Sequence, residues 1–212
     1  MSSLRTAIAM ASLCFVPVTL PAQSVGAGAG ADAAPTVEAI WVESEVEFTY
    51  MSFTTYYSCD GLRTKLRWLL KEIGARPDFK VNVTGCVGQG PEAMPRVKIK
   101  AALPQEATPE LLARLAEDAS ERELVARATG KADPVAEPTA RFPARPRRIE
   151  LRDRSGSHIE DGDCDLVEQL RDKAFPQLGA KIVDDQMRCM ANTVALGGVR
   201  LTIEVLEAVP AQ

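Results

Sequence analysis

The sequence predicts an α+β protein built from two strand–helix–strand–strand (βαββ) units, ferredoxin-like in their elements, each closed by its own disulfide. Three observations predict it. A Cys-Asp pair followed thirteen residues later by Gly-Ala occurs twice, as Cys59-Asp60 with Gly74-Ala75 and as Cys164-Asp165 with Gly179-Ala180. Both intervals carry apolar residues at helical spacing. After each comes a short β-type segment ending near a further cysteine, Cys86 or Cys189, and then an alternating strand.

The first unit opens with a strand over 42–50, and its helix begins at Cys59. Leu62, Leu66, Leu69, Leu70 and Ile73 form one stripe. Asp60 suits an N-cap and favours the helix dipole, and Gly74 suits the left-handed position past the helix end. Strands over 79–86 and 96–103 follow. In the second unit a strand over 148–152 precedes a helix with Leu166, Val167, Leu170, Ala174, Phe175 and Leu178 on one face and Asp165 as its cap. Pro176 falls inside that stripe, so the helix ends or kinks a turn earlier than its twin. Strands over 181–189 and 199–206 close the unit, with Leu201, Ile203 and Val205 on one face and Arg200, Thr202 and Glu204 on the other.

Between the units, residues 108–130 read as one helix or two short ones. Thr108-Pro109 supplies a start, Ser120 with Glu123 a capping box, and Gly130 a stop. Residues 133–146 contain Pro134, Pro138, Pro143 and Pro146 and read as an extended connector. The organisation expected is therefore a signal segment over 1–24, a flexible leader over 25–36, a first unit over 37–104, a helix and connector over 105–147, and a second unit over 148–212. Element order alone leaves two arrangements open, a ferredoxin-like βαββαβ or two βαββ modules side by side.

Geometry argues for pairing Cys59 with Cys86 and Cys164 with Cys189. In a right-handed strand–helix–strand unit the helix starts at the edge where the first strand ends, and a following strand parallel to the first ends at that same edge. The separations are also alike, at 27 and 25 residues. A loop of that size stabilises by about 3–4 kcal/mol in the chain-entropy model. The cysteines show neither Cys-x-x-Cys nor accompanying histidine spacing, which argues against zinc and against a redox pair.

Compartment follows from the N-terminus. Arg5 precedes an apolar run over 6–20, and small residues follow, which is the pattern of a cleaved secretory signal. Cys14 falls within it, and the four cysteines that remain suit an oxidising compartment. With a net charge of −4 the chain lacks a basic field to attract nucleic acid or an anionic membrane. No later stretch is long and apolar enough to span a membrane. Neither a cofactor nor a resident metal is expected.

Candidate chemistry is sparse. His158 is the single histidine, and Ser155 and Ser157 beside it in sequence do not make a catalytic triad. Asp161, Asp163 and Asp165 alternate like the opening of a calcium loop, with Asp172 at its twelfth position, but Leu166 stands where such a loop needs glycine. Arg141, Arg145, Arg147 and Arg148 form a basic run that reads as a solvated linker. Tyr50, Phe53, Tyr56 and Tyr57 crowd the approach to Cys59, either packing around the first disulfide or offering a partner surface, with Tyr56 and Tyr57 as the binding candidates.

The segments Tyr56-Tyr57-Ser58-Cys59-Asp60-Gly61-Leu62-Arg63 and Asp163-Cys164-Asp165-Leu166-Val167-Glu168-Gln169-Leu170 resemble those of uncharacterised secreted proteins of proteobacteria. That resemblance carries no assigned activity and no site residues. The expected role is a secreted or periplasmic, non-enzymatic binding or envelope-assembly protein with an envelope protein as partner. The alternative is a small periplasmic enzyme or calcium-binding protein using the acidic loop.

Overall fold

The computed structural model describes residues 35–53, 55–86, 94–130, 140–153, 158–189 and 198–209. In chain order they form β1 (Val37–Thr49), α1 (Cys59–Glu72), β2 (Lys80–Thr84), β3 (Arg96–Glu106), α2 (Pro109–Thr129), β4 (Phe142–Arg152), a 3-10 turn (Asp161–Asp163), α3 (Cys164–Lys173), β5 (Lys181–Asp185) and β6 (Arg200–Ala208). The class is α+β, with the strands in one antiparallel sheet of order β2-β3-β1-β4-β6-β5.

Side-chain alternation explains which sheet face is buried. Val46 and Phe48 of β1, Val97 and Ile99 of β3, Val81 and Val83 of β2, and Leu201, Ile203 and Val205 of β6 all enter one core. The stripes of α1 and α3 close over that same core. The opposite face is polar: Lys98 pairs with Glu45 at 2.6 Å and Lys100 with Glu43 at 2.9 Å across β3 and β1. Between β1 and β4 the pairing runs only from Val37 to Ala39, against Phe142 to Ala144. Beyond it β4 pairs with β6 alone among the described residues, which leaves Pro146 on a strand edge that needs no amide.

Helix ends depart from the expected caps. Ser58, not Asp60, caps α1, its hydroxyl accepting from the Gly61 amide at 3.1 Å, while Asp60 sits in the first turn. Asp165 is no cap either; the helix begins at Cys164 and Asp165 is buried. As the proline requires, α3 ends at Lys173, before Pro176, and the turn that follows reaches Gly179 at φ +83°. Helix α2 is continuous: Thr108 accepts from the Leu111 amide at 3.2 Å, and Ser120, read as part of a cap, instead donates to the Ala116 carbonyl within the helix. Only its first turns pack, Leu111 with Leu112 and Leu115 against Ile40 and Val42.

Strand β4 starts at Phe142, inside the stretch read as connector. The arginines expected in a solvated linker are bonded to acids: Arg141, just before β4, to Glu38 at 2.8 Å, and the strand residues Arg145 to Glu207 at 3.1 Å, Arg147 to Glu72 at 3.0 Å and Arg148 to Glu204 at 3.2 Å. The Glu38, Glu72, Glu204 and Glu207 partners come from three different elements, so the run was not interpretable from its own neighbours.

Both disulfides form as expected, Cys59–Cys86 with Cα atoms 6.0 Å apart and Cys164–Cys189 with 5.5 Å. Strand β2 runs in the direction of β1 with β3 between them, which returns the chain to the edge where α1 begins. The two bridges differ in shielding. Cys164 is 2% exposed and its partner Cys189 half-buried, whereas Cys59 and Cys86 are both half-buried. Limited reduction followed by differential alkylation should therefore open Cys59–Cys86 first, because a reductant can reach either of its sulfurs but only one of the other bridge. Loss of either bridge by Cys→Ser pairs should lower unfolding free energy by about 3–4 kcal/mol in denaturant titrations.

Candidate functional site

The aromatic approach to Cys59 is a compact loop over 50–58, and its shape comes from its own hydrogen bonds. Tyr50 extends the β1–β3 ladder by one bond, its amide donating to the Pro95 carbonyl at 2.9 Å. Its ring is fully buried and its hydroxyl donates to the Thr55 carbonyl at 2.9 Å; the Ser52 hydroxyl donates to the same oxygen. The chain is thereby folded back on itself between Tyr50 and Thr55.

Helix α3 holds the loop from beneath. The Gln169 amide side chain pairs with both main-chain groups of Met51, accepting from its N–H at 2.9 Å and donating to its carbonyl at 2.8 Å. One turn earlier, Asp165 accepts from the Phe53 N–H at 2.9 Å. These i, i+4 positions lie on one face of the helix.

Asp163 ties three segments together. Its side chain is 1% exposed. One oxygen accepts from the Tyr57 hydroxyl; the other accepts from Lys65 of α1 at 2.8 Å and from the Glu160 N–H at 2.8 Å. Lys65 also donates to the His158 carbonyl at 2.7 Å. A buried carboxylate is tolerated when a cation and further donors satisfy it, as here. Burial drives the Tyr57 hydroxyl well above the usual tyrosine range, and the adjacent Asp163 charge adds to that shift. Tyr50 is raised for the same first reason, opposed in part by its bond with Ser52.

The four aromatics thus divide. Tyr50 and Tyr57 turn inward, their rings 5.6 Å apart. Phe53 and Tyr56 turn outward, 50% and 54% exposed, with Met51 at 44% and Met94 at 64%. Of the two expected binding tyrosines, Tyr56 is on the surface and Tyr57 has its hydroxyl committed to Asp163. Sequence reasoning missed Lys65, Gln169 and the two methionines. The periodicity that marks the α3 stripe treats Asp165 and Gln169 as its polar flank, and nothing local says that they reach a loop over a hundred residues away.

His158 is exposed, its ring 4.8 Å from that of Trp68, beside an open cleft of about 340 Å³ lined by Asp60, Thr64 and Lys65. Ser155 and Ser157 lie outside the described residues. A second hollow of about 540 Å³ lies where Thr108 and Leu111 meet Gly179 and Leu206. Three acids of the alternative reading are engaged within the protein: Asp163 is saturated by protein donors, Asp165 holds Phe53, and Asp172 bonds Arg171 at 2.7 Å; the Asp161 side chain lies outside what the structure describes. Among the described residues no group of three or more His, Cys, Asp or Glu is arranged to hold a metal ion, and no helix is long and apolar enough to cross a membrane. Comparison with protein-family models, with curated proteins and with solved structures found no match.

Two outcomes follow. Asp163→Ala leaves Lys65 without its buried counter-charge and should destabilise by about 3–5 kcal/mol in denaturant unfolding. Because the folded state holds the Tyr57 proton more tightly than the unfolded chain does, its contribution is intact below the unfolded tyrosine value of about 10 and lost as pH rises above it. Stability should therefore fall on the alkaline side, and Tyr57→Phe, at a cost of about 1–2 kcal/mol near neutrality, should flatten that fall.

Proposed function

We propose that the protein is a non-enzymatic binding or assembly module of the bacterial envelope or its exterior, and that Met51, Phe53, Tyr56 and Met94 form its contact surface. The observation behind this reading is the combination of exposure and fixation: Met51, Phe53 and Tyr56 stand in solvent on a loop whose main chain is bonded to α3 at Met51 and Phe53, and Met94, just before β3, is exposed as well. Side chains displayed on a pre-formed backbone lose less entropy on binding than those of a free loop. Exposed apolar clusters of this kind mark interaction sites. The groups that would serve catalysis are instead bonded to one another: Lys65, Asp163 and Tyr57 form an internal network.

The two disulfides suit an oxidising compartment, and secretion by a cleaved N-terminal signal is part of the same proposal. So is descent from one repeated βαββ unit. Strand order supports the latter, since β2-β3-β1 on one side of the sheet is answered by β5-β6-β4 on the other, each with a disulfide from its helix start.

Site-specific photo-crosslinking in the intact envelope tests the binding reading. A crosslinker at Phe53 or Tyr56 should yield adducts that one at Arg200, an exposed position on β6, does not. Equal yields at all three positions, or none, would contradict it.

A further inference from the structure

We propose that the hollow beside the first turns of α2 binds a short zwitterionic peptide of dipeptide size, its ammonium held by Glu106 and Glu110 and its carboxylate by Arg114. The loop over 50–58 sits where β3 starts, as the Tyr50 N–H to Pro95 carbonyl bond shows. This hollow sits where β3 ends, at Pro104 to Glu106. The two sites are separate, and neither depends on the other.

Strand β3 runs to Glu106 and α2 starts at Pro109 behind its Thr108 cap, so a short turn sets the strand end against the first turns of the helix. Gly179, past α3, and Leu206 of β6 complete the lining. Pro104 and Leu111 are buried and, with Leu206, make its apolar part. A volume of about 540 Å³ falls within the range of about 300–1,000 Å³ usual for small-ligand sites, which join apolar walls to a few polar groups. The cleft at His158 is smaller, and its cation, Lys65, is committed to Asp163.

The polar lining is unengaged. Gln105, Glu106, Glu110 and Arg114 make no side-chain hydrogen bond or ion pair among the described residues. Glu110 and Arg114 stand four apart on α2, a spacing at which such residues bond. Further along the same helix Glu123 and Arg127, at that spacing, do bond. Gln105 is positioned by contact with the turn past α3: a Cβ on Gly179 would stand 2.6 Å from its Nε2.

Two carboxylates beside one guanidinium fit a ligand that carries both signs. An ammonium supplies three donors to the oxygens of Glu106 and Glu110, and the guanidinium fork matches a carboxylate. The Gln105 amide offers a donor and an acceptor, the complement of a peptide group. Length then separates a peptide from a free amino acid. Glu110 and Arg114 are four residues of helix apart, a rise of about 6 Å. Two extended residues span about 7 Å, whereas the two charges of a free amino acid share one carbon.

Isothermal titration calorimetry of the whole protein with alanyl-leucine, N-acetyl-alanyl-leucine, alanyl-leucinamide and leucine tests the site. Alanyl-leucine should bind most tightly, and each of the other three roughly tenfold more weakly. The double variant Glu106→Gln/Glu110→Gln should lose the preference over the acetylated peptide and keep the preference over the amide. Arg114→Gln should do the reverse. All three side chains are exposed, so thermal melts should move little, and the paired preferences report ligand contact where a general loss of fold would remove both. Absence of alanyl-leucine binding at millimolar concentration, equal binding of the capped forms, or preferences that survive the matching substitutions would overturn the assignment.

Discussion

The Asp163 carboxylate is where the α1 helix, the loop before it and the entry to α3 are joined. The first turn of α3 is buried on consecutive positions from Asp163 to Val167, so it has no solvent-facing side on which to place a charge. A carboxylate there must be satisfied internally. It is satisfied by Tyr57 from the loop, Lys65 from α1 and the Glu160 amide from the preceding turn. Ordering one of these segments without the others would leave a buried charge or a buried donor unmet. The hydrophobic stripes bring the two helices to one core, but they do not choose the angle or depth at which α3 enters; the polar junction does.

From that junction the display loop follows. With α3 set, Asp165 and Gln169 stand one turn apart beneath the chain leaving β1 and supply the bonds that a neighbouring strand would otherwise supply. The main chain is thus satisfied inward while Met51, Phe53 and Tyr56 face out. The first disulfide closes the far end, linking the start of α1 to the chain past β2. Scaffold and surface are coupled: what makes the loop rigid is buried polar chemistry on α3, and what it offers to the outside is apolar.

Much of the scaffold was legible in the sequence because it depends on local rules. The stripes at Leu62, Leu66 and Leu69, and at Leu166 and Leu170, report their helices; Pro176 reports an early end; the alternation at Leu201, Ile203 and Val205 reports a strand. The cysteine pairing was accessible from topology alone. The N-caps were misplaced by two residues, Asp60 for Ser58 and Asp165 for Asp163, because neighbouring residues are equally good caps and only the main-chain angles decide. The first half of strand β4 was hidden by Pro143 and Pro146, which disfavour a central strand; Pro146 fits because the β1-side pairing stops at Ala144. The site was half legible. Aromatic crowding before Cys59 pointed to the right segment, but the division into inward Tyr50 and Tyr57 and outward Phe53 and Tyr56 depends on contacts with α3 far along the chain.

Native-state hydrogen exchange at the Met51 and Phe53 amides tests most directly whether the loop is held by α3. Both residues have exposed side chains, so a loop without internal restraint would exchange at the rate of an unstructured peptide. The account predicts protection close to that of the core strands, falling for Phe53 in Asp165→Ala and for Met51 in Gln169→Ala. Unprotected exchange at both amides in the unaltered protein would contradict it.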